Sequence, residues 1–225
     1  MADETERNSD ERRRVCSDLT EGSPSPSTSS TMEFYEEHAK RYFDDTVVRM
    51  PTEAQEAFLR ELPAKACILD AGCGSGRDAR RFLELGHCVE AFDASPRLAG
   101  LASEHIGIPV DVLRFEDYQT RPEKYDGVWA FASLLHVAEC DLANVIGCLA
   151  ASLRPGGVLF ASFKIGLGPT VDDNGRAFTN LSPVSACLLV QNEPLLELRR
   201  LWREVGQASL GATADWLYLI ARRER

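Results

Sequence analysis

CILDAGCGSGRD, residues 67 to 78, combines an apolar run of strand length with three glycines at alternate positions and the beginning of a helix. Glycine lets the backbone turn sharply and approach a ligand without interference from a side chain. A dinucleotide-binding fingerprint, G-x-G-x-x-G, would need a glycine where Arg77 stands. The pattern here is G-x-G-x-G, preceded by Asp70. The stretch therefore predicts a strand, a nucleotide-type cradle and a helix, and it disfavours a dinucleotide loop.

The same stretch resembles a known family motif. An acid at Asp70 followed by Gly72, Gly74 and Gly76 is similar to the first motif of the class I S-adenosylmethionine-dependent methyltransferases. The other segments of that family appear in the expected chain order: VEAFD at 89–93, FED at 115–117, YDGVWA at 125–130 and LRPGG at 153–157. The shorter stretches GSGRD, ASLLH and NGRAFT resemble a bacterial group of small-molecule methyltransferases of the tellurite-resistance type.

The resemblance implies an α/β fold of the doubly wound, Rossmann-like kind. We expect a mostly parallel seven-stranded sheet with an antiparallel last strand and helices on both faces. We place this domain at residues 32–225, beginning with an aromatic amphipathic helix. Residues 1–31 lack the apolar content that offsets the entropy of ordering, so we predict a disordered tail. Residues 166–182 are polar and contain glycine, which predicts a lid or substrate loop.

The resemblance also implies a set of cofactor contacts. Asp93 ends the predicted second strand, at the sheet edge where open α/β folds bind ligands, and its carboxylate suits ribose hydroxyls. Either Glu116 or Asp117 would contact the adenine amino group. The contacts expected for the methionine end are the Asp70 carboxylate, the loop of Gly72, Gly74 and Gly76, the backbone of Ala132, and Tyr35 or Tyr42, whose rings are equally compatible with core packing.

Candidate catalytic residues are His136, which follows the predicted fourth strand, and Tyr35. A thiolate or a tellurium lone pair attacks a sulfonium methyl group directly, whereas an amine or a hydroxyl has a proton to lose. The need for a base therefore depends on the acceptor, and His136 could equally be a packing residue. Arg77, Lys164 and Arg176 should all lie at the carboxyl edge of the sheet, which predicts an anionic acceptor unless they are ordinary surface charges.

The composition narrows the class of protein. The chain has 225 residues, 44% of them hydrophobic, which suits one domain with a sizeable core. A net charge of −10 argues against a nucleic-acid partner. Seven cysteines without a C-x-x-C pair indicate neither a metal site nor a disulfide framework. Without a signal peptide or a long apolar span, we expect a cytoplasmic protein with no membrane partner, present as a monomer or weak homodimer.

The function predicted from the sequence is transfer of a methyl group from S-adenosylmethionine to a small-molecule acceptor, with release of S-adenosylhomocysteine. The acceptor would be anionic or a soft nucleophile, and the displacement would be in line. Two alternatives remain open at this point. One is an NAD(P)-dependent oxidoreductase of the same fold class, against which Asp70 and Arg77 count. The other is a non-catalytic S-adenosylmethionine-binding regulator, which would differ only at the acceptor pocket.

Overall fold

The computed structural model describes residues 28–49, 52–207 and 213–224. Within them, the strands are β1 (Cys67–Ala71), β2 (Cys88–Asp93), β3 (Val110–Val112), β4 (Tyr125–Ala130), β5 (Leu153–Lys164), β6 (Gly168–Val171), β7 (Ala177–Asn180), β8 (Leu196–Gln207) and β9 (Thr213–Arg223). Seven of these form one sheet in the order β3-β2-β1-β4-β5-β9-β8. The pairs from β3 to β5 are parallel, and β9 is antiparallel to both β5 and β8. The predicted mostly parallel sheet with an antiparallel last strand is confirmed.

Helices connect these strands in the order expected of a doubly wound fold. They are α1 (Thr28–Glu37), α2 (Ala39–Val47), α3 (Glu53–Arg60), α4 (Arg77–Glu84), α5 (Pro96–Ile106), α6 (Glu139–Ser152) and α7 (Pro183–Gln191). Thr52 and Ser95 are the N-caps of α3 and α5, since each side chain accepts a backbone N–H from the first turn of its helix. Capping fixes where α3 and α5 begin and therefore how each helix approaches the sheet.

The central strands are buried on both faces. Residues 127–130 of β4 are all buried, and successive side chains of a strand point to opposite faces, so the sheet is covered on both sides. The Trp129 ring packs on Phe58 of α3 and Phe82 of α4, with centroid distances of 5.1 and 5.8 Å. A Cβ at Gly127 would lie 2.6 Å from Phe58, so glycine lets α3 approach the sheet closely. This aromatic cluster anchors α4, the helix that follows the glycine loop.

The amino-terminal end of the domain differs from the prediction. Helix α1 begins at Thr28, inside the predicted tail, and the expected aromatic helix is divided into α1 and α2. Ser30 Oγ donates to the Gly175 carbonyl at 2.8 Å, and Thr31 Oγ1 accepts the Ala177 N–H at 2.8 Å. These contacts with a distant segment explain why polar residues are ordered here. The rest of the predicted tail, residues 1–27, lies outside the described residues.

The segment predicted as a polar loop contains a β-hairpin. Strands β6 and β7 pair antiparallel from Gly168 opposite Asn180 to Val171 opposite Ala177. Asn180 Nδ2 donates to the Gly168 carbonyl at 3.1 Å and to Thr170 Oγ1 at 2.9 Å. The side-chain bonds across the hairpin stabilise it where the sequence shows little apolar alternation.

No helix in the described part of the chain has both the length and the apolar composition needed to cross a bilayer. Among the same residues, no group of three His, Cys, Asp or Glu side chains is placed to hold a metal ion.

Candidate functional site

A cavity of about 660 Å³ opens at the carboxyl edge of the parallel strands. Its walls include the turns that follow β1, β2, β4 and β5 and, across the opening, α1 and the β6–β7 hairpin. The strand order changes direction between β1 and β4, and open α/β sheets bind ligands at such a switch point. The cavity volume falls in the range of small-molecule sites.

Two of the three predicted cradle glycines make room for the protein itself. A Cβ at Gly72, where φ is 73°, would lie 2.5 Å from the Cβ of Ser133. A Cβ at Gly76, also at φ 73°, would lie 2.8 Å from Ile106 Cγ2 on α5. Gly72 still contributes to the cavity wall, but Gly76 does not. The structure thus gives Gly76 a packing role rather than the expected place beside a ligand.

Gly74 faces the cavity. Its φ is 55°, and the nearest atom to an added Cβ is Tyr42 Cε1 at 3.2 Å, on the cavity wall. The Gly74 N–H donates to Asp93 Oδ2 at 2.8 Å, and Asp93 Oδ1 accepts the Ser95 N–H at 3.0 Å. Burial raises the pKa of Asp93, while the N–H groups of Ser95, Gly74 and Ala94 oppose that rise. A carboxylate has about four acceptor sites, so capacity for a ribose hydroxyl remains.

Of the two acids proposed for adenine, only Glu116 lines the cavity. Its carboxylate pairs with Arg114 at 3.3 Å, and Phe115 beside it forms part of the same wall. Asp117 is exposed and lies outside the lining, because the short 3₁₀ turn at Phe115–Asp117 directs successive side chains to different sides. The adenine contact predicted for this pair is therefore geometrically open to Glu116 and not to Asp117.

Two buried carboxylates flank the glycine loop, Asp70 at the end of β1 and Asp78 at the start of α4. Asp78 accepts hydrogen bonds from Gln55 Nε2 at 2.9 Å, from Trp129 Nε1 at 3.0 Å, and from Arg77 Nε and Nη2 at 2.9 and 2.8 Å. Asp70 is 3% exposed, and its Oδ2 has no hydrogen-bond partner among the described residues. Burial, and next the Asp78 charge, raises the pKa of Asp70 well above its usual range. Arg77 is thus already paired, whereas Asp70 has spare acceptor capacity but does not line the cavity.

Ala132 supplies backbone to the cavity wall after β4. Its φ is 52°, an unusual value for a residue with a side chain. Its N–H donates to Ser162 Oγ at 2.7 Å, which holds this conformation. The Ala132 N–H is therefore engaged, which leaves its carbonyl as the backbone group that could contact a ligand's ammonium.

Arg77, Lys164 and Arg176 all line this cavity, so the fold brings the three predicted cations together. Their charges are not equivalent, because Arg77 pairs with Asp78 and Arg176 pairs with Asp172 at 2.7 Å. Lys164 Nζ makes no hydrogen bond or ion pair with any described residue and lies 3.3 Å from the centroid of the Phe178 ring. Burial, and next the Arg176 charge, lowers the pKa of Lys164. Of the three predicted cations, Lys164 is the one without a carboxylate partner among the described residues.

Tyr35 and His136 are in direct contact on the wall of the cavity. The Tyr35 hydroxyl lies 3.0 Å from His136 Nε2, and His136 Nδ1 lies 2.8 Å from the Ala177 carbonyl oxygen. Burial lowers the pKa of His136 to about 4, with the Ala177 hydrogen bond opposing the shift. The imidazole is therefore neutral at pH 7. Both residues line the cavity.

Several lining residues were missed by the sequence reasoning. Phe131 lies under the Arg77 guanidinium, 5.5 Å from its carbon, and stacks on Trp216 with a centroid distance of 6.3 Å. Phe131 directly follows the fourth-strand motif, so its place at this edge of the sheet could have been predicted from its chain position. Trp216 lies on β9, and nothing local indicates that β9 inserts beside β5. Glu36, which does not line the cavity, was also missed: its Oε2 accepts from Ser95 Oγ at 2.6 Å and ties α1 to the start of α5.

The residues present fit S-adenosylmethionine. Gly74 leaves the backbone accessible, Asp93 presents a carboxylate to the wall, and Asp70 has an acceptor atom without a partner among the described residues. A buried polar atom left unpaired costs about 1–3 kcal/mol, which a donor group or water can offset.

Comparisons with known proteins agree with this geometry. Residues 68–157 match a family described as a methyltransferase domain. A ubiquinone biosynthesis O-methyltransferase from Methylocella silvestris is 37% identical over 100 residues, which is 42% of this chain and 38% of that protein. An N-terminal Xaa-Pro-Lys N-methyltransferase from Rattus norvegicus is 29% identical over 114 residues, 46% of this chain and 51% of that protein. The chain thus spans only about two fifths to one half of the length of these relatives.

A solved structure shares most of the fold. The 1,6-didemethyltoxoflavin-N1-methyltransferase of Burkholderia thailandensis, with 1,6-didemethyltoxoflavin and S-adenosylhomocysteine bound, has a TM-score of 0.70 and 22% identity over 88% of this chain and 87% of that one. The chain has the Rossmann-like methyltransferase fold, and residues 68–157 within it match the methyltransferase domain family. The similar proteins have different acceptors, so the fold and family leave the acceptor open.

Proposed function

We propose that this protein transfers the methyl group of S-adenosylmethionine to a small-molecule acceptor that carries an anionic group. The observation that carries the anionic part is Lys164, whose partly buried ammonium has no acidic partner among the described residues and lies on the wall of the cavity. An unpaired buried cation is costly, and an anionic ligand would offset that cost. Three aromatic side chains in the same wall, Phe131, Phe178 and Trp216, suit an acceptor with a flat apolar body.

The cofactor half of the proposal uses the loop after β1 and the ends of β2 and β4. Asp93 would accept a ribose hydroxyl, Glu116 would contact the adenine, and the Ala132 carbonyl with Asp70 would receive the ammonium of the methionine part. Bound S-adenosylmethionine would supply a methyl group made electrophilic by its positive sulfur. The protein's contribution is to align the acceptor with that methyl group and to exclude water. Tyr42 and Tyr35, held over the loop by α1 and α2, suit the second task.

The test measures conversion of S-adenosylmethionine to S-adenosylhomocysteine across thiols, chalcogen oxyanions, amines and hydroxy acids. The panel includes 3-hydroxybenzoate and its neutral methyl ester as a matched pair. We expect the anionic member to be preferred by the wild type. Lys164→Met should lower kcat/KM for the anion by about tenfold to a hundredfold. This corresponds to roughly 1.5–3 kcal/mol, the value of a hydrogen bond to a charged group. The same substitution should change kcat/KM for the ester little.

Lys40→Met is the matched control, because Lys40 carries the same charge at an exposed site on α2 that does not line the cavity. Lys40→Met should leave kcat/KM for both acceptors unchanged. Equal loss for the acid and its ester in Lys164→Met would show that Lys164 does not bind the anion. Tight binding of S-adenosylmethionine without turnover on any acceptor would instead support a regulator that binds the same molecule.

A further inference from the structure

The hydrogen bonds around Tyr35 and His136 all point in one direction. The Arg176 guanidinium hydrogen-bonds the Tyr35 hydroxyl, and a guanidinium can only donate. At the other end, the Ala177 carbonyl oxygen can only accept, so His136 Nδ1 carries the proton of that 2.8 Å bond. His136 Nε2 is therefore bare and accepts the Tyr35 O–H at 3.0 Å. The chain runs from Arg176 through Tyr35 and His136 to Ala177.

This arrangement leaves the Tyr35 hydroxyl with one acceptor site. The Tyr35 oxygen has two lone pairs, and the Arg176 bond uses one of them. The second lone pair is available to a group bound in the cavity that Tyr35 lines. The Tyr35 proton already points at the neutral His136 Nε2. When a second proton reaches the Tyr35 oxygen, the first can therefore pass to His136, and Tyr35 stays neutral.

We propose that Tyr35 and His136 form a proton relay that deprotonates a hydroxyl group of the acceptor; this rests on the proposed function. As the acceptor oxygen bonds to the methyl carbon and the carbon–sulfur bond breaks towards sulfur, the hydroxyl proton passes to Tyr35 Oη. The Tyr35 proton passes to His136 Nε2. The result is a methyl ether, a neutral thioether, an intact Tyr35 and an imidazolium, which later releases its proton to water.

The electrostatics of the site select a hydroxyl over other nucleophiles. Burial lowers the pKa of His136 to about 4, and Arg176 and Lys164 contribute to the shift while the Ala177 bond and Asp172 oppose it. A hydroxyl that has been alkylated is a far stronger acid than this imidazolium, so its proton moves downhill. An alkylated aliphatic amine keeps a pKa near that of lysine, about 10, and would retain its proton. A thiolate brings no proton to the relay.

The experiment compares 3-hydroxybenzoate with 3-mercaptobenzoate, which share the carboxylate and the ring and differ in the nucleophile. Tyr35→Phe removes the relay oxygen, and His136→Gln keeps a side chain able to accept from Tyr35 but removes the base. Both should lower kcat/KM for 3-hydroxybenzoate by about a hundredfold or more. Both should leave kcat/KM for 3-mercaptobenzoate within a few fold of the wild type. His87→Gln, on a residue at the opposite edge of the sheet beside the start of β2, is the histidine control.

Two readouts separate a relay from a structural role. In His136→Gln, the rate with 3-hydroxybenzoate should rise with pH as the acceptor hydroxyl ionises near about 10, since an ionised acceptor needs no base. In the cofactor-free wild type, nitrogen NMR should show the Nδ1–H tautomer of His136 from neutral pH down to about pH 5. The groups facing His136 are Tyr35 from α1, Lys164 from β5, and Asp172 and Arg176 from the hairpin.

Each other result has a defined meaning. Equal losses for the hydroxyl and thiol acceptors, or no loss in either variant, would overturn the relay. A protonated or Nε2–H imidazole at pH 7 would do the same. A wild type that binds S-adenosylmethionine but methylates neither probe, or only the thiol, would rule out the hydroxyl acceptor. A wild type that does not bind S-adenosylmethionine at all would instead refute the proposed function.

Discussion

Gly74→Ala isolates the contribution of the glycine cradle to ligand binding. Alanine at φ 55° carries a strain of about 1–2 kcal/mol, because the left-handed region brings Cβ close to the following carbonyl oxygen. For a chain of this size that cost lowers Tm by roughly 2–8 °C. The new methyl group would also lie 3.2 Å from Tyr42 Cε1, which is tighter than a normal contact. The ring and the loop must therefore separate by a few tenths of an ångström at the cavity wall.

Gly107→Ala is the matched control for this substitution. Gly107 has φ 78° at the end of α5, so alanine carries a similar backbone strain, but a Cβ there would have no neighbour within 4 Å. Both variants should lose similar stability in a thermal melt. Only Gly74→Ala should weaken S-adenosylmethionine binding, by at least tenfold or about 1.4 kcal/mol in a calorimetric titration. If the two variants bind S-adenosylmethionine equally tightly, the ligand does not approach the backbone at Gly74.

Two further predictions concern the ribose site and the amino-terminal helix. Asp93→Ala should weaken S-adenosylmethionine binding by about 1.5–3 kcal/mol, since it removes a charged acceptor and releases the glycine loop; an unchanged Kd in calorimetry would assign the ribose contact to another residue. Deleting residues 1–27 should leave Tm unchanged, because the hydrogen bonds of Ser30 and Thr31 are kept. Deleting residues 1–31 removes both bonds, each worth about 0.5–1.5 kcal/mol, so a thermal melt should show a lower Tm for this deletion alone.

Local sequence carried most of the information about the cofactor half of the site. The strand, glycine turn and helix of residues 67–78 are contiguous, so their geometry follows from propensity and from the conformational freedom of glycine. Asp93 could be placed for the same reason, because the end of a parallel strand beside β1 must reach the same edge. What the sequence did not reveal is that Gly76 packs on α5, since that contact depends on Ile106, thirty positions away.

The acceptor half of the site is formed by contacts between distant segments, which the sequence did not reveal. The unpaired state of Lys164 arises because Arg176 is paired with Asp172 inside a hairpin that the polar sequence did not indicate. The contact of Tyr35 with His136 joins helix α1 to the turn after β4, over a sequence separation of 101 residues. Spacing rules do not reach across such distances, so the sequence named these residues without giving their pairing.

A calorimetric titration of the wild-type protein with S-adenosylmethionine and, separately, with NAD⁺ tests directly which cofactor the cavity binds. We expect saturable binding of one S-adenosylmethionine per chain, competition by S-adenosylhomocysteine, and no heat of binding with NAD⁺. Binding of NAD⁺ without binding of S-adenosylmethionine would contradict the assignment of the cavity to S-adenosylmethionine. It would favour an NAD(P)-dependent oxidoreductase instead.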